Sequence, residues 1–289
     1  MDKISRVRLW GDDLNIAANN LIIIGGAEDK EKGKEILRYI CSKINKEEDT
    51  LVVATVATER PRAAKTRYEK VFSSLGVKKI RILDINNRED AYKEENVNLI
   101  KKAAMIFFTG GDQLRITSIL GGTPIYDEII EAGNRQCYFV GTSAGASVMS
   151  GTMIIGGMDE QSPRKCTIEM APGLGLINNV IIDQHFSQRG RIGRLLAAVA
   201  QNPEILGIGI DEDTAIHVNT EGILRVIGNG AVYVVDGTEM TYSNVSEQHS
   251  DEILSMYNVK MHVLTRENQF DLKRKVPFEE ENIKDENHR

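Results

Sequence analysis

At 289 residues, with 41% hydrophobic and 27% charged side chains, the chain has the profile of a soluble globular protein able to bury a sizeable core. A formal net charge of −6 argues against a nucleic-acid binder, which would carry a basic face. Residues 1–20 hold no signal-peptide core and no apolar run approaches the roughly 20 residues of a membrane helix, while three cysteines without Cys-x-x-Cys spacing (Cys41, Cys137, Cys166) fit reduced thiols, so a cytoplasmic protein is expected.

Residues 21–24, Leu-Ile-Ile-Ile followed by Gly25-Gly26, read as a buried parallel strand ending in a tight turn. Ile36, Leu37, Ile40 and Ile44 fall near helical spacing, which predicts a helix over 29–45. A strand over 51–56 and a helix over 62–75, closed by Gly76, come next. Residues 79–85 alternate like a strand, 89–102 read as helical, and 103–108 form a fourth strand running into Thr109-Gly110-Gly111-Asp112-Gln113. Helices over 113–120 and 124–132 lead to a fifth strand at 137–140. The glycine-rich stretch after Ser150, polar through Glu169, reads as a surface loop or pocket-lining excursion. Strands over 180–182 and 206–210 flank a helix over 192–201, and 223–227 with 231–235 read as a hairpin across Gly228-Asn229-Gly230. Strands alternating with helices in this way imply a parallel sheet covered on both faces, with functional groups at the carboxyl ends of its strands.

Gly141, Ser143 and Gly145 fit Gly-x-Ser-x-Gly, in which a strand turns sharply into a helix and holds a serine hydroxyl clear of the backbone. So tight a turn leaves no room for a Cβ beside the serine. The N–H of Ala144 then opens a helix, where unpaired donors and the dipole favour a developing oxyanion. An ordinary strand-to-helix turn with a serine cap shares the pattern, so a base and an orienting acid must be found elsewhere. Of five histidines, only His185 directly follows an apolar strand amid polar residues. His217 fits a solvated or core position on an alternating strand, and His249, His262 and His288 sit in polar C-terminal stretches. Asp211, Glu212 and Asp213 all follow the buried run Ile208-Gly209-Ile210, and the pattern does not choose among them. The order of serine, histidine, then acid excludes the α/β-hydrolases, where the acid precedes the histidine. No Gly-x-Gly-x-x-Gly opens the first helix, no phosphate-binding loop occurs, and no His/Cys spacing marks a metal; neither cofactor nor metal is expected.

Four motifs carry a resemblance: Thr109-Gly110-Gly111-Asp112-Gln113; Gly141-Thr142-Ser143-Ala144-Gly145-Ala146; Asp183-Gln184-His185-Phe186 with the arginines after it; and Gly209-Ile210-Asp211-Glu212-Asp213-Thr214-Ala215. Together, spread in order over residues 21–235, they resemble a serine peptidase family comprising cyanophycinases and aspartyl dipeptidases. The resemblance implies an α/β fold like that of the class I glutamine amidotransferases, a flavodoxin-like, mostly parallel sheet with helices on both faces and a C-terminal β-hairpin. It implies Ser143 as nucleophile, His185 as base and then acid, and Glu212 as the carboxylate that orients His185. Backbone N–H groups of Gly111 and Ala144 become the oxyanion donors, and Gln113, Asp183, Gln184, Arg189, Arg191 and Arg194 the substrate-binding positions.

The implied reaction is exopeptidase cleavage of cyanophycin, a poly-aspartate whose side chains carry arginine, into β-Asp-Arg dipeptides through an acyl-enzyme, by a homodimer. Free carboxylates of such products suit arginine's planar fork. Three arginines in six residues also fit a plain basic helix start, although cations oppose the dipole there. Asp159, Glu160 and Glu169 are unranked candidates for the polymer's arginines. An α-aspartyl dipeptidase of the same family, and a catalytically idle amidotransferase-like binding module, are the alternatives. The domain reading is an N-terminal extension (1–20), one α/β catalytic domain (21–276) and an acidic mobile tail (277–289).

Overall fold

The computed structural model describes residues 20–157, 159, 162–164, 168–247 and 252–278. The extension before Asn20, the tail beyond Phe278, Glu160, Cys166, His249 and His288 lie outside the described residues. The chain runs β1 (Asn20–Ile24), α1 (Glu35–Cys41), β2 (Thr50–Ala54), α2 (Pro61–Ser74), β3 (Lys79–Leu83), α3 (Glu94–Lys101), β4 (Met105–Phe108), α4 (Gln113–Leu120), α5 (Pro124–Asn134), β5 (Tyr138–Thr142) and α6 (Ala144–Ser147). It continues through β6 (Thr152–Gly157), β7 (Ile168–Pro172), β8 (Val180–Gln184), α7 (Ile192–Gln201), β9 (Leu206–Ile210), β10 (Thr214–Val218), β11 (Ile223–Gly228) and β12 (Val232–Asp236). The last strands are β13 (Tyr242–Ser243), β14 (Met256–Tyr257), β15 (Lys260–Leu264), β16 (Gln269–Asp271) and β17 (Val276–Pro277).

Five parallel strands, in the order β1-β5-β4-β2-β3, form one side of a nine-stranded sheet. Both of its faces are covered, which is why β1 is apolar without alternation: Leu21 and Ile23 enter one core, Ile22 and Ile24 the other. Ile36, Leu37 and Ile40 of α1 and Tyr68, Val71 and Phe72 of α2 close the second of these cores. Ile116 and Leu120 of α4 and Ile125 and Ile129 of α5 join the first. Antiparallel β10, β11, β16 and β17 extend the sheet beyond β1.

A second sheet, in the order β15-β12-β9-β8, was not evident in the pattern. One face of it (Ile182, Ile208, Ile210, Val232, Val234) shares the first core with the large sheet, and Leu195, Ala198 and Val199 of α7 lie in the cluster on its other face. Residues 223–227 and 231–235 are not one hairpin. β11 stays between β10 and β16, whereas β12 crosses to the second sheet between β9 and β15. Gly230 lies at the crossing: its N–H donates to Thr214 Oγ1 (2.9 Å) and a Cβ there would lie 2.4 Å from that oxygen, so the Gly-Asn-Gly segment packs against the 211–214 turn. The C-terminal hairpins are β10–β11 and β16–β17.

Two predicted helices are shorter than their periodicity. The Asp29 carboxylate accepts from the N–H groups of Glu31, Lys32 and Lys34 (2.8, 2.9 and 2.9 Å), and Lys34 takes φ 52°, so α1 starts only at Glu35. An extended Lys93 (ψ 126°) splits 89–102 into a short 3₁₀ turn and α3. The stretch read as a loop after Ser150 contains an antiparallel pair, β6 with β7, bulged between Ile154 and Gly156. No helix among the described residues is long and apolar enough to cross a membrane.

Candidate active site

The turn from β5 into α6 is a sharp elbow. Ser143 holds φ 55°, ψ −115°, a conformation unfavourable for a residue with a Cβ. Its flanking glycines are obligatory, because a Cβ on Gly141 would lie 2.1 Å from the Gly145 carbonyl oxygen and one on Gly145 2.3 Å from that of Phe108. Gly110, just past the end of β4, also approaches the serine: a Cβ there would sit 3.3 Å from that of Ser143, a tight contact. Gly111 beside it packs over the carbonyl of Ala57 and admits no Cβ either. Gly110 and Ala144 thus flank the serine from two strand ends.

Ser143 Oγ lies 2.9 Å from His185 Nε2, and His185 Nδ1 lies 2.5 Å from Glu212 Oε1. An ionised carboxylate only accepts, so Nδ1 carries the proton and the neutral ring leaves Nε2 bare toward the serine hydroxyl. Burial lowers the His185 pKa from 6.5; the hydrogen bond to Glu212 opposes this and the Arg189 charge adds to it. A neutral imidazole at neutral pH is the form that can take a proton. The neighbouring carboxylates are occupied elsewhere. Asp211 accepts from the N–H groups of Ser187 (2.9 Å) and Ala231 (3.1 Å), and Asp213 from that of Asp29 (2.8 Å). Of the three acids, Glu212 is the one whose side chain reaches the ring. His217 lies on β10 away from this chain of bonds, with Nδ1 2.7 Å from the Tyr39 hydroxyl and its pKa brought down to about 4, mainly by burial.

The turn after β1 organises these three segments. Three consecutive carbonyls accept one bond from each: Ile24 from Ser143 N (3.1 Å), Gly25 from His185 N (2.8 Å) and Gly26 from Asp213 N (2.9 Å). All three donor residues have positive φ, at 55°, 50° and 48°. Each such backbone costs about 1–3 kcal/mol and persists only where its surroundings dictate it. Gly26 also makes room for the His185 ring, since a Cβ there would lie 2.4 Å from His185 Cε1. The sequence showed a Gly-Gly strand end without revealing this role.

The proposed substrate-binding residues divide by burial. Asp183 and Gln184 end β8, and Asp183 accepts from Arg194 Nε (2.6 Å) and Nη2, and from Arg191 Nη1 (3.4 Å). Arg191 Nη1 also donates to the Gln184 carbonyl (2.7 Å) and side chain (3.1 Å). Asp159 accepts from Arg191 Nε (2.9 Å) and Arg194 Nη1 (3.4 Å). Arg191 and Arg194 are therefore buried and internally paired, whereas Arg189 is exposed. Asp159 is already committed to two arginines, and Glu169 is exposed on β7. Gln113 opens α4 behind the Asp112 cap and donates to the Ile154 carbonyl (2.9 Å), tying the glycine turn to β6.

A sequence profile of peptidase family S51 matches residues 21–226, which include Ser143, His185 and Glu212. A cyanophycinase of Nostoc sp. strain PCC 7120 is 41% identical over 254 residues, covering 87% of this chain and 85% of that protein. A cyanophycinase of Geminocystis herdmanii is 37% identical over 263 residues, covering 90% of this chain and 96% of that protein. The crystal structure of a peptidase from an acI-B1 Actinobacterium superposes with a TM-score of 0.64 over 88% of this chain and 97% of its own; at 24% identity this likeness speaks to the fold alone.

Proposed function

The chain belongs to peptidase family S51, and from that membership we propose that it is a serine exopeptidase hydrolysing cyanophycin to β-Asp-Arg dipeptides, with Ser143, His185 and Glu212 as its triad. The observation that carries the reading is the hydrogen-bonded line from Ser143 Oγ to His185 Nε2 (2.9 Å) and from Nδ1 to Glu212 (2.5 Å). In the proposed mechanism Ser143 attacks the scissile backbone carbonyl as Nε2 takes its proton. The N–H groups of Gly111 and Ala144 receive the oxyanion. The imidazolium, held by Glu212, then protonates the leaving amine; the C–N bond breaks and a seryl ester remains. Water, deprotonated by the same ring, hydrolyses the ester, releasing the acyl part as a free carboxylate and regenerating the serine.

Arg189, exposed next to the base, is the proposed partner for a product carboxylate, with Gln113 as a neutral donor and acceptor near the scissile bond. Asp183, Gln184, Arg191 and Arg194 act from beneath, fixing the loop that carries Arg189. Residues 21–276 form one catalytic unit in this reading, and the enzyme is a cytoplasmic homodimer. Incubating purified protein with insoluble cyanophycin and identifying the products by mass tests it: clearing with release of β-Asp-Arg, abolished in Ser143→Ala, is expected. Cleavage of Asp-X dipeptides without clearing would overturn it.

A further inference from the structure

Glu28 is a buried carboxylate that the mechanism does not use. Its side chain is 1% exposed, and it closes the turn after β1. Three groups converge on it. Thr142 Oγ1 donates to Oε2 at 2.6 Å, the Tyr68 hydroxyl donates to Oε1 at 2.8 Å, and Lys30 Nζ lies 2.9 Å from Oε1. Thr142 ends β5 and immediately precedes the strained Ser143. Burial, with Glu28 beside it, holds the Tyr68 hydroxyl well above its usual pKa, so Tyr68 stays a donor at working pH. A carboxylate taken out of water is costly unless it is neutralised and fully hydrogen-bonded. An apolar side chain of similar volume would fill the space without that cost, but it would leave the Thr142 hydroxyl without the acceptor that fixes its direction.

We propose that Glu28 is a positioning residue: through Thr142 it fixes the elbow that aims Ser143 Oγ at His185, while the carbonyls of the same turn hold the His185 and Asp213 segments. The inference rests on Ser143 being the nucleophile. It is tested by the rate at which a fluorophosphonate labels Ser143, with kcat and KM on cyanophycin, in the wild type, Glu28→Gln, Thr142→Val, Thr142→Ser and the Glu28→Gln/Thr142→Val double variant. Near-UV circular dichroism identifies the folded chains. Folded Glu28→Gln and Thr142→Val should label roughly 10–100-fold more slowly and lose kcat by a like factor, with KM within about twofold. Thr142→Ser, which keeps the hydroxyl, should recover most of the rate, and the double variant should be no slower than the slower single one. Either single variant folded and labelled at the wild-type rate overturns the proposal; if Glu28→Gln does not fold, the near-isosteric Thr142→Val decides alone. A wild type that takes no label overturns the nucleophile reading, and this inference with it.

Discussion

Opposing effects act on the ring of His185. Burial disfavours the imidazolium and prevails, the hydrogen bond to Glu212 favours it, and Arg189 disfavours it again, so the ring titrates below 6.5. Protonation removes the Nε2 acceptor from Ser143, so kcat/KM should fall as pH drops through that midpoint and stay level from there to neutrality. Arg189→Gln removes a cation from beside the ring and should move the acid limb to higher pH. Glu212→Gln should move it lower and reduce kcat by roughly 10²–10⁴-fold. Profiles of kcat/KM between about pH 4.5 and 8 check the signs; a wild-type limb centred above 6.5 contradicts them. At this scale the sequence was partly legible. Ser143 and His185 stand at ends of apolar runs and so declare themselves. Glu212 does not, because Asp211 and Asp213 look equivalent until their bonds to Ser187, Ala231 and Asp29 are seen. Glu28 gave no signal at all, since a charged residue after Gly-Gly-Ala is the ordinary composition of a turn.

Among the elements, the short turn after β1 matters more than its length indicates, and its glycines differ in what they tolerate. A Cβ on Gly25 would meet backbone, the Asp211 oxygen at 2.1 Å, so replacement there must disturb the segment that carries Glu212. A Cβ on Gly26 would meet the His185 ring at 2.4 Å, and a ring can swing aside. Gly26→Ala should therefore fold, destabilised by the roughly 1–3 kcal/mol of a non-glycine residue at φ 104°, yet lose about 100-fold or more in kcat as the imidazole leaves Ser143. Thermal melts and kinetics together check this: near-normal kcat in a folded variant would show that the ring has room to spare. Strands with continuous apolar runs, and helices such as α5, were legible because burial on two faces or on one helical face writes itself into the sequence. What escaped was set by side-chain bonds and close approaches that hydrophobic periodicity does not encode. The Asp29 carboxylate, bonded to N–H groups two to five residues on, displaced the start of a helix, and Gly230 packs against Thr214 where β12 leaves for the other sheet.

Across the whole molecule, the serine is mounted on the large sheet, while the end of β8 in the second sheet leads directly into His185 and carries Asp183. The proposed triad, assembled across two sheets, requires that they not move apart, and the shared core containing Leu21, Val52 and Phe139 with Ile182, Ile208 and Val232 supplies that constraint. The proposed single catalytic unit should accordingly melt in one calorimetric transition. Asp183, on the face of β8 opposite Ile182 and toward α7, is 1% exposed and lies between Arg191 and Arg194. Asp183→Asn leaves the two buried guanidinium groups with Asp159, whose side chain is 37% exposed, as their one carboxylate partner among the described residues. Losing one partner of a buried charge network costs about 3–5 kcal/mol, which for a chain of this size lowers Tm by roughly 10 °C. If Asp183 met substrate directly, its loss would instead raise KM in a protein of nearly unchanged Tm. Differential scanning calorimetry beside kcat and KM separates the two: the buried pairing calls for one transition displaced downward. Two resolved transitions in the wild type would remove the single-unit reading, and a variant melting with the wild type would remove Asp183's part in neutralising the arginines.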